Sequence, residues 1–168
     1  MTDAAIQVLL DKQDIAETIF RYCRGMDRID NDLARSAFHP EAKVQYGADI
    51  YSGPATGFVE MVAKTHQGMT ISHHQVGNCL IEVDGDSAKS ETYITVTLHR
   101  QEEDGSLVQV RGIGRYLDAW ARRDRKWKIL DRVYVHSIDE THPVSANAFA
   151  VTGARDLTDI SYRYLKGA

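Results

Sequence analysis

The chain has 168 residues, 43% of them hydrophobic and 26% charged, with a formal net charge of -4. That balance suits one globular unit of ordinary size and excludes a disordered or membrane-embedded chain. Basic residues are scattered rather than banded, so the electrostatic footprint of a nucleic-acid binder is missing, and no stretch approaches the roughly 20 apolar residues of a membrane span.

The opening segment MTDAAIQVLLDKQD lacks the basic start and long apolar run of an export signal, so a cytoplasmic location is expected by default. One domain is expected over 1–168, with its core at about 10–138 and an extension at 139–168. Residues 11–27 place Ile15, Ile19, Cys23 and Met26 at helical spacing among charged residues, which predicts an amphipathic helix with one inward face. The Asn31/Asp32 pair and His39-Pro40 bracket a short second helix at 33–38. Two short strands, AKVQYGA and IYSG, fit next. Pro54 then opens a helix whose apolar side is Phe58, Val59, Met61 and Val62, ended by Gly68.

From residue 71 the period changes. Segments 71–84, 87–101, 107–121 and 126–138 are rich in β-branched and aromatic residues and are separated by DGD, EEDG and RRDR, which predicts a four-strand antiparallel meander. Helices at the front and long antiparallel strands behind imply an α+β fold in which a curved sheet wraps the helices and leaves an internal pocket. Beyond Glu140, a closing helix is expected at 156–165, either capping the pocket mouth or packing on a neighbouring subunit. Cys23 and Cys79 have no CxxC spacing and are expected to be buried thiols, not a disulfide or zinc site.

Asp27 lies four residues beyond Cys23 and eight beyond Ile19, on the inward line if the helix continues that far. A carboxylate there needs a partner. If the helix frays at Gly25 instead, Asp27 belongs to the polar run DRIDND. His73 and His74 are neighbours on a strand, so only one can enter the pocket. A histidine held in one tautomer by a carboxylate is the usual device for taking a proton at neutral pH. His66, His136 and His142 read equally well as surface or structural imidazoles.

Three segments carry a resemblance: RYCRGMDRIDNDLARSAFHPEAKVQYG, SHHQVGNCLIEVDGDSAKSETYI and DAWARRDRKWKILDR. Together they resemble the SnoaL-like group of the NTF2-like superfamily, which includes scytalone dehydratase, hexachlorocyclohexane dehydrochlorinase and bile-acid dehydratase. The resemblance runs from about residue 10 to 137 and implies a cone-shaped fold and a histidine–aspartate pair. It matches Asp27 in GMD to the orienting aspartate and His74, before VGN, to the base. Tyr22 matches a pocket tyrosine and Arg132 an arginine that helps an anion depart. His136 stands where the bile-acid enzyme has an arginine, a departure that leaves the leaving-group chemistry open.

These matches imply a cofactor-independent lyase that needs neither metal nor organic cofactor. His74, oriented by Asp27, would eliminate water, halide or formaldehyde from an apolar, aromatic or polycyclic substrate, assisted by Tyr22, Arg132 or His136. His136, His73, Tyr93 and Asn78 are the expected substrate-binding residues. The alternatives are carbon–carbon cleavage of lignin-derived diarylpropanes, a ketosteroid-isomerase-like isomerase, and a non-catalytic module such as a dioxygenase small subunit. Family likeness also implies a homo-oligomer, a trimer before a dimer, with Val108, Val110 and Ile113 suited to burial between subunits.

Overall fold

The computed structural model describes residues 2–145 and 147–165. Helix α1 (Asp3–Arg28) begins well before residue 11, capped by the Thr2 side chain, which accepts from the Ala5 N–H at 3.3 Å. Its first turns escaped the periodicity because Ile6, Val8, Leu9 and Leu10 are exposed and form no inward face. From there a buried line runs through Asp11, Ile15, Ile19, Tyr22, Cys23, Met26 and Asp27, the three-to-four spacing of a helix lying on a core. The helix does not fray at Gly25. It closes at Ile29, whose φ of 53° is left-handed, with the Ile29 N–H donating to the Gly25 carbonyl.

Helix α2 (Asn31–Ser36) lies two residues ahead of its expected place. Asp30 is its cap, accepting from the Leu33 N–H at 3.0 Å, and Phe38 already belongs to β1 (Phe38–Gln45). Gly25 lets the two helices meet, since a Cβ there would stand 2.6 Å from the Ala34 nitrogen. A hairpin joins β1 to β2 (Ser52–Pro54), and α3 (Ala55–His66) then buries Ala55, Phe58, Val59 and Val62.

The meander follows as expected: β3 (Met69–Asp84), β4 (Ser87–Gln101), β5 (Leu107–Arg123) and β6 (Lys126–Val144). Gly85 and the pair Asp124 and Arg125 supply the positive φ that two of its turns require. The sheet order is β2-β1-β6-β5-β4-β3, with β1 parallel to β6 and every other pair antiparallel. Register shifts between Val76 and Cys79 and between Ile113 and Gly114 mark bulges, the irregularities that bend a strand and deepen its twist.

Strand β6 outruns the expected end at 138, pairing with β5 as far as Leu107↔Val144. Pro143 does not stop it, because β1 covers β6 only to Val133 and the free edge beyond needs no proline N–H. Between sheet and helices lie Trp120, Trp127, Ile129, Ile94 and Val44. Buried Asp11 is satisfied by the Trp127 indole N–H at 2.9 Å and by Arg122 at 2.7 Å. Cys23 is buried, which pushes its thiol up to about 12, whereas Cys79 is only half-buried beside Thr92.

The C-terminal segment returns to the end of α1. Tyr162 donates to Asp30 at 2.7 Å, Arg24 lies 4.5 Å over the Tyr162 ring, and Arg28 meets Asp159 at 3.4 Å. Its only helix among the described residues is one turn, α4 (Ser161–Tyr164), rather than the ten residues expected. Among the described residues no helix is long and apolar enough to cross a membrane, and no group of three His, Cys, Asp or Glu side chains could hold a metal.

Candidate active site

Asp27 and His74 meet inside the fold. The Asp27 carboxylate lies near the C-terminal end of α1, where the helix dipole disfavours an anion and donors are needed to hold it. Three are present. His74 Nδ1 stands 2.6 Å from Oδ1, the His74 backbone N–H donates to Oδ2 at 3.0 Å, and the Ser72 hydroxyl donates to Oδ1 at 3.0 Å. Burial alone would raise the carboxyl, but the bonds from His74 and Ser72 outweigh it and hold the group below its ordinary value. Strand β3 is an edge of the sheet, so the free-side N–H of His74 has no strand to bond and the helix supplies the acceptor.

The pair is shielded, with side chains 5% (His74) and 11% (Asp27) exposed. His74 lines a pocket of about 230 Å³ together with Tyr22, Tyr46, His66, Tyr116 and Tyr134. Thr65 and apolar groups from Met26, Ile50, Phe58, Met61, Val62, Val96 and Leu98 complete the wall, which has no Asp, Glu, Lys or Arg among its described lining residues. A carboxylate on Nδ1 fixes the imidazole as the Nδ1–H tautomer and leaves Nε2 as the available base.

Opposite stands a group of tyrosines. The Tyr22 and Tyr46 hydroxyls are 3.3 Å apart, and Tyr46 stacks between Phe58 at 4.1 Å and Tyr134 at 5.1 Å. Burial raises both phenols, so they remain protonated donors. Arg132 lies behind them, fully buried and bidentate to Asp118 at 2.7 and 2.8 Å, its guanidinium 4.4 Å over Tyr22 and 3.9 Å over Tyr116.

The expectation that Arg132 meets a departing anion directly is therefore corrected: Asp118 neutralises it and tyrosine rings stand between it and the cavity. Strand parity explains three further corrections. His73 and Tyr93 fall by alternation, and Asn78 by the bulge between Val76 and Cys79 that reverses it, on the exposed outer side of β3 and β4, away from the cavity that His74 and Val96 face. His136 is exposed as well, bonded to Asp139 at 3.1 Å and only beside the cavity through Tyr134. Larger than the cavity, at about 430 Å³, is a depression on the outer face lined by Leu80, Glu91, Leu117 and Val133, but the dyad does not border it.

Sequence reasoning missed Tyr46, Tyr116, Tyr134, Ser72 and Arg155. Ser72 shares strand parity with His74, and Tyr134 shares it with Arg132, so both were within reach of the alternation rule. Arg155 had no local signal. It donates to the Asp27 carbonyl at 3.2 Å, the His66 carbonyl at 2.8 Å and the Met69 carbonyl, satisfying carbonyls where two helix C-termini converge.

A curved, mostly antiparallel sheet closed over N-terminal helices around a cavity is the NTF2-like architecture. The chain belongs to the SnoaL-like family, whose domain profile matches residues 7–133. None of the curated proteins matches it significantly. Among solved structures it is similar to a candidate scytalone dehydratase from Novosphingobium aromaticivorans DSM 12444, at 16% identity and a TM-score of 0.71 over 86% of this chain and 94% of that one. A type 2 hexachlorocyclohexane dehydrochlorinase gives 16% identity and a TM-score of 0.70 over 89% and 99%. A type 3 dehydrochlorinase from Novosphingobium barchaimii LL02 gives 17% and 0.67 over 88% and 99%.

Proposed function

We propose that the chain is a cofactor-independent lyase in which His74, held by Asp27, is the general base. The observation that carries this reading is the 2.6 Å contact between the two shielded side chains, with His74 on the wall of the cavity. His74 Nε2 takes a proton from a substrate carbon, the electron pair of that bond becomes the new double bond, and the neighbouring substituent leaves with its own pair. Imidazolium formed in the step is stabilised by the Asp27 carboxylate. When hydroxide is the leaving group, the same imidazolium can return its proton to the departing oxygen. The Tyr22 and Tyr46 hydroxyls donate hydrogen bonds to oxygen where negative charge develops.

The cavity narrows the substrate. The uncharged wall favours a neutral aromatic substrate carrying hydroxyl or carbonyl oxygen, as buried ions need partners that this wall lacks.

A panel of neutral aryl hydroxyketones, aromatic diols and diarylpropane diols, incubated in deuterated buffer, tests the reading by mass spectrometry. Deuterium gain at carbon, or loss of water, should appear with the native chain and vanish with His74→Ala. If the two proteins behave alike across the panel, the lyase reading fails and a binding role takes its place. Leu80, Tyr93 and Leu117 expose apolar surface on the outer sheet face. That exposure supports a homo-oligomer through this face, which sedimentation velocity can measure.

A further inference from the structure

His66 is the second imidazole on the cavity wall, and nothing in the dyad chemistry uses it. It is the last residue of α3, and its backbone carbonyl is held by Arg155 at 2.8 Å. Its Nδ1 is shut off from solvent and finds no partner among the described residues. A proton on that nitrogen would be a buried donor without an acceptor, a worse arrangement than an idle lone pair. The proton therefore belongs on Nε2.

We infer that His66 is a substrate-binding residue whose Nε2–H donates a hydrogen bond to an uncharged oxygen, hydroxyl or carbonyl, of the bound molecule. This deepens the lyase reading and rests on its taking the cavity as the substrate site. The division of labour follows from what surrounds each ring. His74 has a carboxylate on Nδ1 and is built to accept a proton. His66 has none in contact and is built to remain neutral. Burial, with His74 and Arg155 nearby, pushes its imidazole down to about 4, against the weaker opposing pull of Asp27. One ring moves a proton while the other holds an oxygen, and Arg155, bonded to the carbonyls of both Asp27 and His66, ties their backbones together.

The test is binding rather than turnover, so its outcome is independent of whether the lyase reading holds. Affinity for 2-naphthol and for 2-methylnaphthalene, probes that differ in one oxygen, is measured by fluorescence titration on the full chain. His66→Leu should weaken 2-naphthol about tenfold, about 1.4 kcal/mol, and leave 2-methylnaphthalene within about twofold. His66→Gln, which keeps a donor, should recover most of the loss. Equal losses for both probes, no loss for either, or no binding of either probe to the native chain overturns the assignment. So does a nitrogen-15 spectrum placing the His66 proton on Nδ1 at neutral pH. Loss of the His74→Ala effect on turnover with the probe pattern intact would count against the lyase alone.

Discussion

Asp27 grips His74 at two points, the ring through Nδ1 at 2.6 Å and the backbone through its N–H at 3.0 Å. One carboxylate thus sets both the tautomer of the imidazole and the position of the strand that carries it. Asp27→Asn keeps the size but can present its amide N–H₂ to Nδ1, which favours the tautomer with the proton on Nε2. Turnover of any substrate found should fall about 10²–10⁴-fold with the fold intact. Steady-state kinetics and circular dichroism check this, and turnover within threefold of the native chain would show that the tautomer is not set here.

Arg132 and Asp118 are both fully buried and doubly bonded. Removing the acid strands a cation in the core, so Asp118→Ala should cost about 3–5 kcal/mol of stability. Chemical denaturation measures it. Arg132→Lys should also lose stability, because an ammonium cannot make the bidentate contact or lie flat on Tyr22 and Tyr116.

His66 makes stability depend on pH in a stated direction. Its ordinary value of 6.5 falls to about 4 in the fold, so between these limits the unfolded chain binds more protons. Stability is then full above about pH 6.5 and declines as pH drops toward 4. In His66→Gln the melting temperature should fall less steeply over that window. Parallel curves for the two proteins would contradict the burial of a neutral ring. The groups bearing on the ring are His74 and Arg155, which lower it, and Asp27, which raises it.

Arg155 gathers carbonyls from Asp27, His66 and Met69. Arg155→Met should free the end of α1 and the start of β3, with faster amide exchange there and turnover reduced about 10–100-fold. Added guanidinium should restore part of the rate. Unchanged exchange at residues 25–29 and 69–74 would show the clamp to be idle.

Much of this was legible in the sequence because period follows burial. Ile15, Ile19, Cys23 and Met26 lie along one helix face, and the four long strands alternate as a half-buried sheet must. Asp27 and His74 are residue types capable of acid–base chemistry, but parity alone could not choose between His73 and His74. That choice came from likeness to a family and agrees with the bond to Asp27. What escaped depended on long-range packing. Arg132 reads as a free cation until Asp118 is brought beside it by strand register. Arg155 lies 128 residues from Asp27, and nothing near it in the chain announces the clamp.

The parallel contact of β1 with β6 has a consequence for how the protein is made. Tyr46, just past β1, stacks on Tyr134 of β6, so the two sides of the cavity come from distant stretches of chain. During synthesis the helices emerge first and wait, their apolar faces uncovered, until the final strand leaves the ribosome and slots between β1 and β5. Such late, distant closure makes for slow folding and a vulnerable nascent chain. Truncation within β6 should therefore yield aggregates rather than a smaller folded protein.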